Sequence, residues 1–112
     1  MKRTAFLSLA LSTLTGLLTL AINVQLDDLY QATGIRLKDG ATKVEVGKTV
    51  DAIVTSPDKL SKLGFPDTKV GMELKLTFKS ELLVETVFPS LKKKASFARV
   101  QGKWELQAIM SI

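Results

Sequence analysis

The stretch Met72 to Lys79 constrains the fold most. Met72, Leu74, Leu76 and Phe78 alternate with Glu73, Lys75, Thr77 and Lys79. A period of two places the apolar set on one face of an extended strand and the charged set on the other, which requires a sheet with one covered side. The segments around it read the same way. Ile35 and Leu37 alternate with Arg36 and Lys38, Val44 and Val46 with Lys43 and Glu45, and Val50, Ala52 and Val54 with Asp51 and Ile53. Leu82 to Phe88 is β-prone and ends at Pro89. Because Leu83 and Val87 flank Glu85, cover on both faces is expected there. Ala95 to Val100, the pair Gln101-Gly102, and Lys103 to Ile112 form a last hairpin, with Trp104, Leu106, Ala108, Met110 and Ile112 expected on one face.

The turns between these strands carry their own signals. Asp39-Gly40 favours a tight hairpin and Gly47-Lys48 a second one, so residues 35 to 55 are read as a three-stranded meander. A single long strand bulged at Gly47 is the rival. Ser56-Pro57-Asp58 starts a short helix, with serine to cap it, proline at the first position and an acid favoured by the helix dipole. Gly64 stops it. From Ile22 to Gly34, the residues Ile22, Leu26, Leu29, Tyr30 and Thr33 fall on a helical stripe that Gly34 ends. The expected fold is mainly β, a small antiparallel barrel or two-layer sandwich of six or seven short strands with one or two short helices.

Ahead of this domain the chain begins with Lys2 and Arg3, followed by an apolar stretch from Ala5 to Leu20. Thr19-Leu20-Ala21 supplies small residues at the −3 and −1 positions of a cut before Ile22. That is the layout of a secretory signal peptide, so residues 1–21 are read as a cleaved signal and 22–112 as one exported domain, periplasmic or extracellular. The rival is a retained anchor. Ala5 to Ile22 is 18 residues long, against the roughly 20 that span a bilayer, and Ser8, Ser12, Thr13, Thr15, Gly16 and Thr19 dilute it.

The full chain has 16 Lys and Arg against 11 Asp and Glu. Removing Lys2 and Arg3 leaves 14 against 11, a net charge of +3. So modest a charge, with only five Phe, one Tyr and one Trp, argues against nucleic acid as a partner. Cysteine is absent, which excludes disulfides and thiolate chemistry. Histidine is absent too, so neither a Ser-His-Asp triad nor a His-ligated zinc site can be assembled. No cofactor or metal is expected.

The remaining motifs are better explained without chemistry. Ser56 to Lys59 and Ser90 to Lys93 both fit S-x-x-K, but the companion elements of that enzyme class are missing, and Ser56 serves as a cap. Gly47-Lys48-Thr49 resembles the end of a phosphate-binding loop, yet the required earlier glycine is Thr42 and the following residues read as strand. Asp27-Asp28 and Glu81 with Glu85 lack the spacing of a calcium loop or an acid-base pair. Lys92, Lys93 and Lys94, with Arg99 and Lys103, could form a patch for an anionic surface; lysines that keep an edge strand from pairing are the alternative. Trp104 and Leu106 could line a ligand wall, or Trp104 could simply be core.

The function expected from these features is a small, exported, non-catalytic binding or interaction domain whose partner is a protein or an anionic envelope component. An N-terminally anchored accessory subunit of an envelope complex is the alternative. A small hydrolase independent of His and Cys comes third.

Overall fold

The structure is a computed structural model describing residues 21–112. The signal-or-anchor assignment for residues 1–21 therefore lies outside the described residues, apart from Ala21 itself. Among the described residues eight strands run antiparallel in two sheets, so the fold is mainly β as expected. They are β1 (Asn23–Gln25), β2 (Ile35–Leu37), β3 (Lys43–Glu45), β4 (Thr49–Val54), β5 (Glu73–Ser80), β6 (Leu83–Phe88), β7 (Lys93–Val100) and β8 (Lys103–Ser111). Two short helices, α1 (Asp27–Thr33) and α2 (Pro57–Leu63), complete it, with one 3-10 turn at Pro89–Leu91.

The larger sheet has the order β2-β4-β5-β6-β7-β8, and β1 pairs with β3 in a separate ladder. Strands β2 and β8 are opposite edges that do not pair, so the barrel does not close and the two-layer sandwich is the better description. The second layer is made of α1, α2 and the β1–β3 ladder, and α1 packs against both edge strands, β2 and β8. Alternation in each strand sends one set of side chains between the layers. Leu76, Phe78, Val84, Phe88 and Phe97 are fully buried there, together with Leu60 from α2 and Phe65 just beyond it. Phe65 meets Phe88 edge-on at 4.9 Å between ring centres, and Phe78 meets Trp104 likewise at 5.8 Å. Such pairs add to the area they bury, about 0.5–1.5 kcal/mol each.

Several expectations are corrected by the topology. Residues 35 to 55 are not a meander, because β2 skips β3 and pairs with β4, matching Ile35 with Val54 and Leu37 with Ala52. The Asp39-Gly40 turn does form: the Gly40 N–H donates to the Leu37 carbonyl and the Ala41 N–H to the Asp39 carboxylate. It then leads the chain out of the sheet, so that β3 pairs with β1 across Val24 and Val44. Residues Asn23 to Gln25 are accordingly strand rather than the start of a helix, and α1 begins only at Asp27. Three residues with one apolar side chain are too few to display alternation, and their partner is about twenty residues away.

Strand β6 is covered on one face only, since Val84, Thr86 and Phe88 are buried while Leu83 is exposed and Glu85 and Val87 are partly so. Ser56 occupies the N-cap of α2 as expected, but its side chain makes no capping bond; its carbonyl accepts from the Lys59 N–H instead. The Gln101-Gly102 hairpin is present. Both residues have positive φ, 52° and 79°, the pattern of a two-residue turn whose twist matches the strands it joins.

Candidate functional site

Strand β8 pairs with β7 along its whole length and, among the described residues, with no strand on its other side. Its first half is buttressed by the helices: Trp104 is buried, and a Cβ on Gly64 at the end of α2 would sit 3.4 Å from a Leu106 methyl. Its second half is not. Between the pairs Ser96 with Ala108 and Phe97 with Leu106, residue Gln107 is extra, which makes a β-bulge. Because side chains alternate, one inserted residue moves everything beyond it to the opposite face. Ala108 and Met110 therefore lie opposite Ser96 and Lys94 on the outer face, and Ile109 lies opposite the buried Ala95. This corrects the expectation that Trp104, Leu106, Ala108, Met110 and Ile112 share a face.

From Leu106 to Ile112 the strand carries no charge, and Ile109, Met110 and Ile112 are exposed at 41%, 51% and 62%. An edge with free main-chain groups and uncharged side chains is a template on which another strand can pair. The bulge bends it.

The five cations singled out in the sequence are distributed rather than gathered. Lys93 pairs with Asp67 at 3.1 Å, Lys94 with Glu85 at 3.4 Å, and Arg99 with Asp28 of α1 at 2.6 Å. Lys92 and Lys103 have no acidic partner within 4 Å among the described residues. Lys103 begins β8 and faces the end of β7 opposite to Lys93, so strand rise puts the two roughly 20 Å apart. Lys92 adopts the left-handed conformation, φ 54°, as the chain leaves the 3-10 turn.

Trp104 packs into the core and also borders a cleft of about 360 Å³ with Asp28, Gln31, Ala32, Leu63 and Lys103. Leu106, half-buried, lies outside that cleft's lining. A second cleft, of about 460 Å³, is formed by Ile22 and Val46 facing Lys79 to Leu82.

Further ion pairs and one hydroxyl pair lie on the sheet surface. Lys75 of β5 pairs with Asp51 of β4, Lys38 with Glu73, and Lys79 with Glu85; the Thr49 and Thr77 hydroxyls hydrogen-bond at 2.7 Å. The Lys75 ammonium holds the Asp51 carboxyl below the usual aspartate range, and Asp51 raises Lys75 in return. The Arg36 guanidinium, 4.3 Å from the centre of the Tyr30 ring, holds the Tyr30 hydroxyl below the usual phenol range. Neither S-x-x-K pair presents a free amine to its serine: the Lys59 ammonium donates to the Gln31 carbonyl, and Lys93 is paired with Asp67. Among the described residues no cluster of three or more acidic side chains could hold a metal ion.

Ile109 and Met110 as exposed edge residues, and Ile22 and Leu82 as exposed neighbours, were not singled out in the sequence. The bulge that exposes the first pair leaves no local signal, and the second pair is joined by a contact between distant segments. Compared with known proteins, the chain matches no protein-family model, no curated protein and no solved structure.

Proposed function

We propose that the protein is a small exported interaction module that works without catalysis, recognising an extended segment of a partner protein through the free edge of β8. The observation carrying this reading is the uncharged, exposed second half of that edge, from Gln107 to Ser111. Strand addition draws affinity from main-chain hydrogen bonds and selectivity from alternate side chains, here Ile109 on one side and Ala108 and Met110 on the other. The absence of His and Cys supports the non-catalytic part. The basic N-terminus followed by an apolar run supports export.

The test is a photo-crosslinking amino acid placed at Met110, and separately at Lys75 on the outer sheet face, in the native host. The expected outcome is one dominant adduct from position 110, lost when Ile109→Lys is added and absent from position 75. Equal labelling from both positions overturns the edge as the recognition element.

The alternative of an anchored accessory subunit is favoured by one feature: Ile22, where the domain meets the apolar N-terminal run, is exposed and lies beside the exposed Leu82. Intact mass of the protein from separated soluble and membrane fractions distinguishes the two. A soluble species lacking residues 1–21 supports the free module, and a membrane-bound full-length species supports the anchored one.

A further inference from the structure

We infer that the end of the domain formed by Ile22, Leu82 and Val100 is a rim that contacts a lipid bilayer, a deepening that rests on the anchored reading. Three exposed apolar residues come from three separate parts of the chain: Ile22 is 48% exposed, Leu82 57% and Val100 42%. Single exposed aliphatic residues are ordinary on any surface, whereas several gathered at one end form a patch that calls for an occupant.

Topology gathers them. In the antiparallel order β5-β6-β7-β8, the turns β5–β6 and β7–β8 lie at the same end of the sheet, with Leu82 in the first and Val100 entering the second. The Arg99 N–H donates to the Leu82 carbonyl at 2.9 Å, which holds the two turns together. Ile22 is tied in from the other layer, its carbonyl accepting from the Val46 N–H at 2.8 Å, and it faces Leu82 across the 460 Å³ cleft. Thus the 18-residue apolar run from Ala5 to Ile22 ends in the patch itself.

A lipid surface is the occupant that fits both the position and the chemistry. A chain that follows a membrane-inserted run directly at Ile22 has no linker to move this end away from the headgroups. Side chains of Ile, Leu and Val at that depth are transferred out of water, while Lys103, paired with Val100 beside the β7–β8 turn, borders the patch and can extend its ammonium group into the aqueous layer. Lys103 has no acidic partner within 4 Å among the described residues. Glu81 shares the turn with Leu82, so the contact depends on apolar burial and does not require anionic lipid.

The chain has no cysteine, so single labelling sites can be introduced freely. Full-length protein is reconstituted in phosphatidylcholine vesicles with an environment-sensitive dye at Leu82→Cys, Val100→Cys or, as reference, Val70→Cys. Val70 is apolar and 73% exposed but lies in the loop before β5, at the opposite end. The expected result is a blue shift and several-fold stronger quenching by shallow nitroxide lipids at positions 82 and 100 than at 70. Vesicle flotation of the same samples separates the two readings. Protein that floats with all three positions alike overturns the rim and leaves the anchor, whereas protein that does not float overturns both.

Discussion

Gly34 shows how much can depend on one missing side chain. It ends α1 with φ 70°, its N–H donating to the Tyr30 carbonyl, and its own carbonyl accepts both the N–H and the hydroxyl of Thr55. A Cβ at this position would lie 2.7 Å from the Ser56 Cβ and 2.9 Å from the Ser56 carbonyl oxygen, so backbone conformation and backbone contact both demand glycine. Gly34→Ala is expected to cost about 1–3 kcal/mol. Gly40→Ala, with φ 80° but open space around it, is expected to cost about 1 kcal/mol or less, and urea denaturation of the two variants checks the difference. Asp51 and Lys75 make a smaller and pH-dependent contribution. Asp51 is lowered, so its share of stability is present above the unfolded aspartate value and lost as pH falls through the folded one. Lys75 is raised, so its share is present below the unfolded lysine value and lost as pH rises through the folded one. Both side chains are more than half exposed, so salt screens the pair. In Lys75→Met the Asp51 carboxyl should titrate upward into the ordinary aspartate range by NMR; an unchanged titration would show that the pair does not form in solution.

Among the elements, β8 is the one whose shape departs most from its sequence pattern. The alternation from Trp104 to Ile112 is regular on paper, but the bulge at Gln107 divides it into two halves that face opposite ways. Deleting Gln107 should leave the pairs Ser96 with Ala108 and Ala95 with Ile109 intact, because it removes the unpaired residue and nothing from the ladder. The expected outcome is a folded protein with a straighter edge that self-associates more readily, read by light scattering across a concentration series. The strands at β5, β6 and β7 were legible because their alternation is long and each hairpin partner is the next segment in the chain. So were the stops at Gly34 and Gly64, where the left-handed conformation is needed. The pairing of β3 with β1 was not legible, since two three-residue strands carry no period and the choice between β2 and β1 as partner is made by burial of Val44 in the assembled core. The partners of the lysine run were not legible for a similar reason: adjacency in sequence sends successive strand residues to opposite faces, where Lys93 and Lys94 find different acids.

For the molecule as a whole, protection is expected to follow position in the sheet. Strands β5 and β6 have a strand on each side and carry Leu76, Phe78, Val84 and Phe88 at full burial, so their amides should exchange most slowly. The β1–β3 ladder has only two strands of three residues and is marginal without its neighbours, so it should exchange fastest among the hydrogen-bonded segments. Amide exchange followed by mass spectrometry checks this order, and a β1–β3 ladder as protected as β6 would contradict it. The register of β7 with β8 has a mechanical consequence. Ser111 pairs with Lys93 at one end of the hairpin, and Lys103 with Val100 at the turn. Residue 22 lies at the end of the sheet that holds the β7–β8 turn, so tension applied at residue 111 and resisted at residue 22 runs along the strands and loads the hydrogen bonds of this ladder together in shear rather than opening them one rung at a time. A partner strand held along Gln107 to Ser111 would thus pull on the domain in the direction in which several rungs share the load.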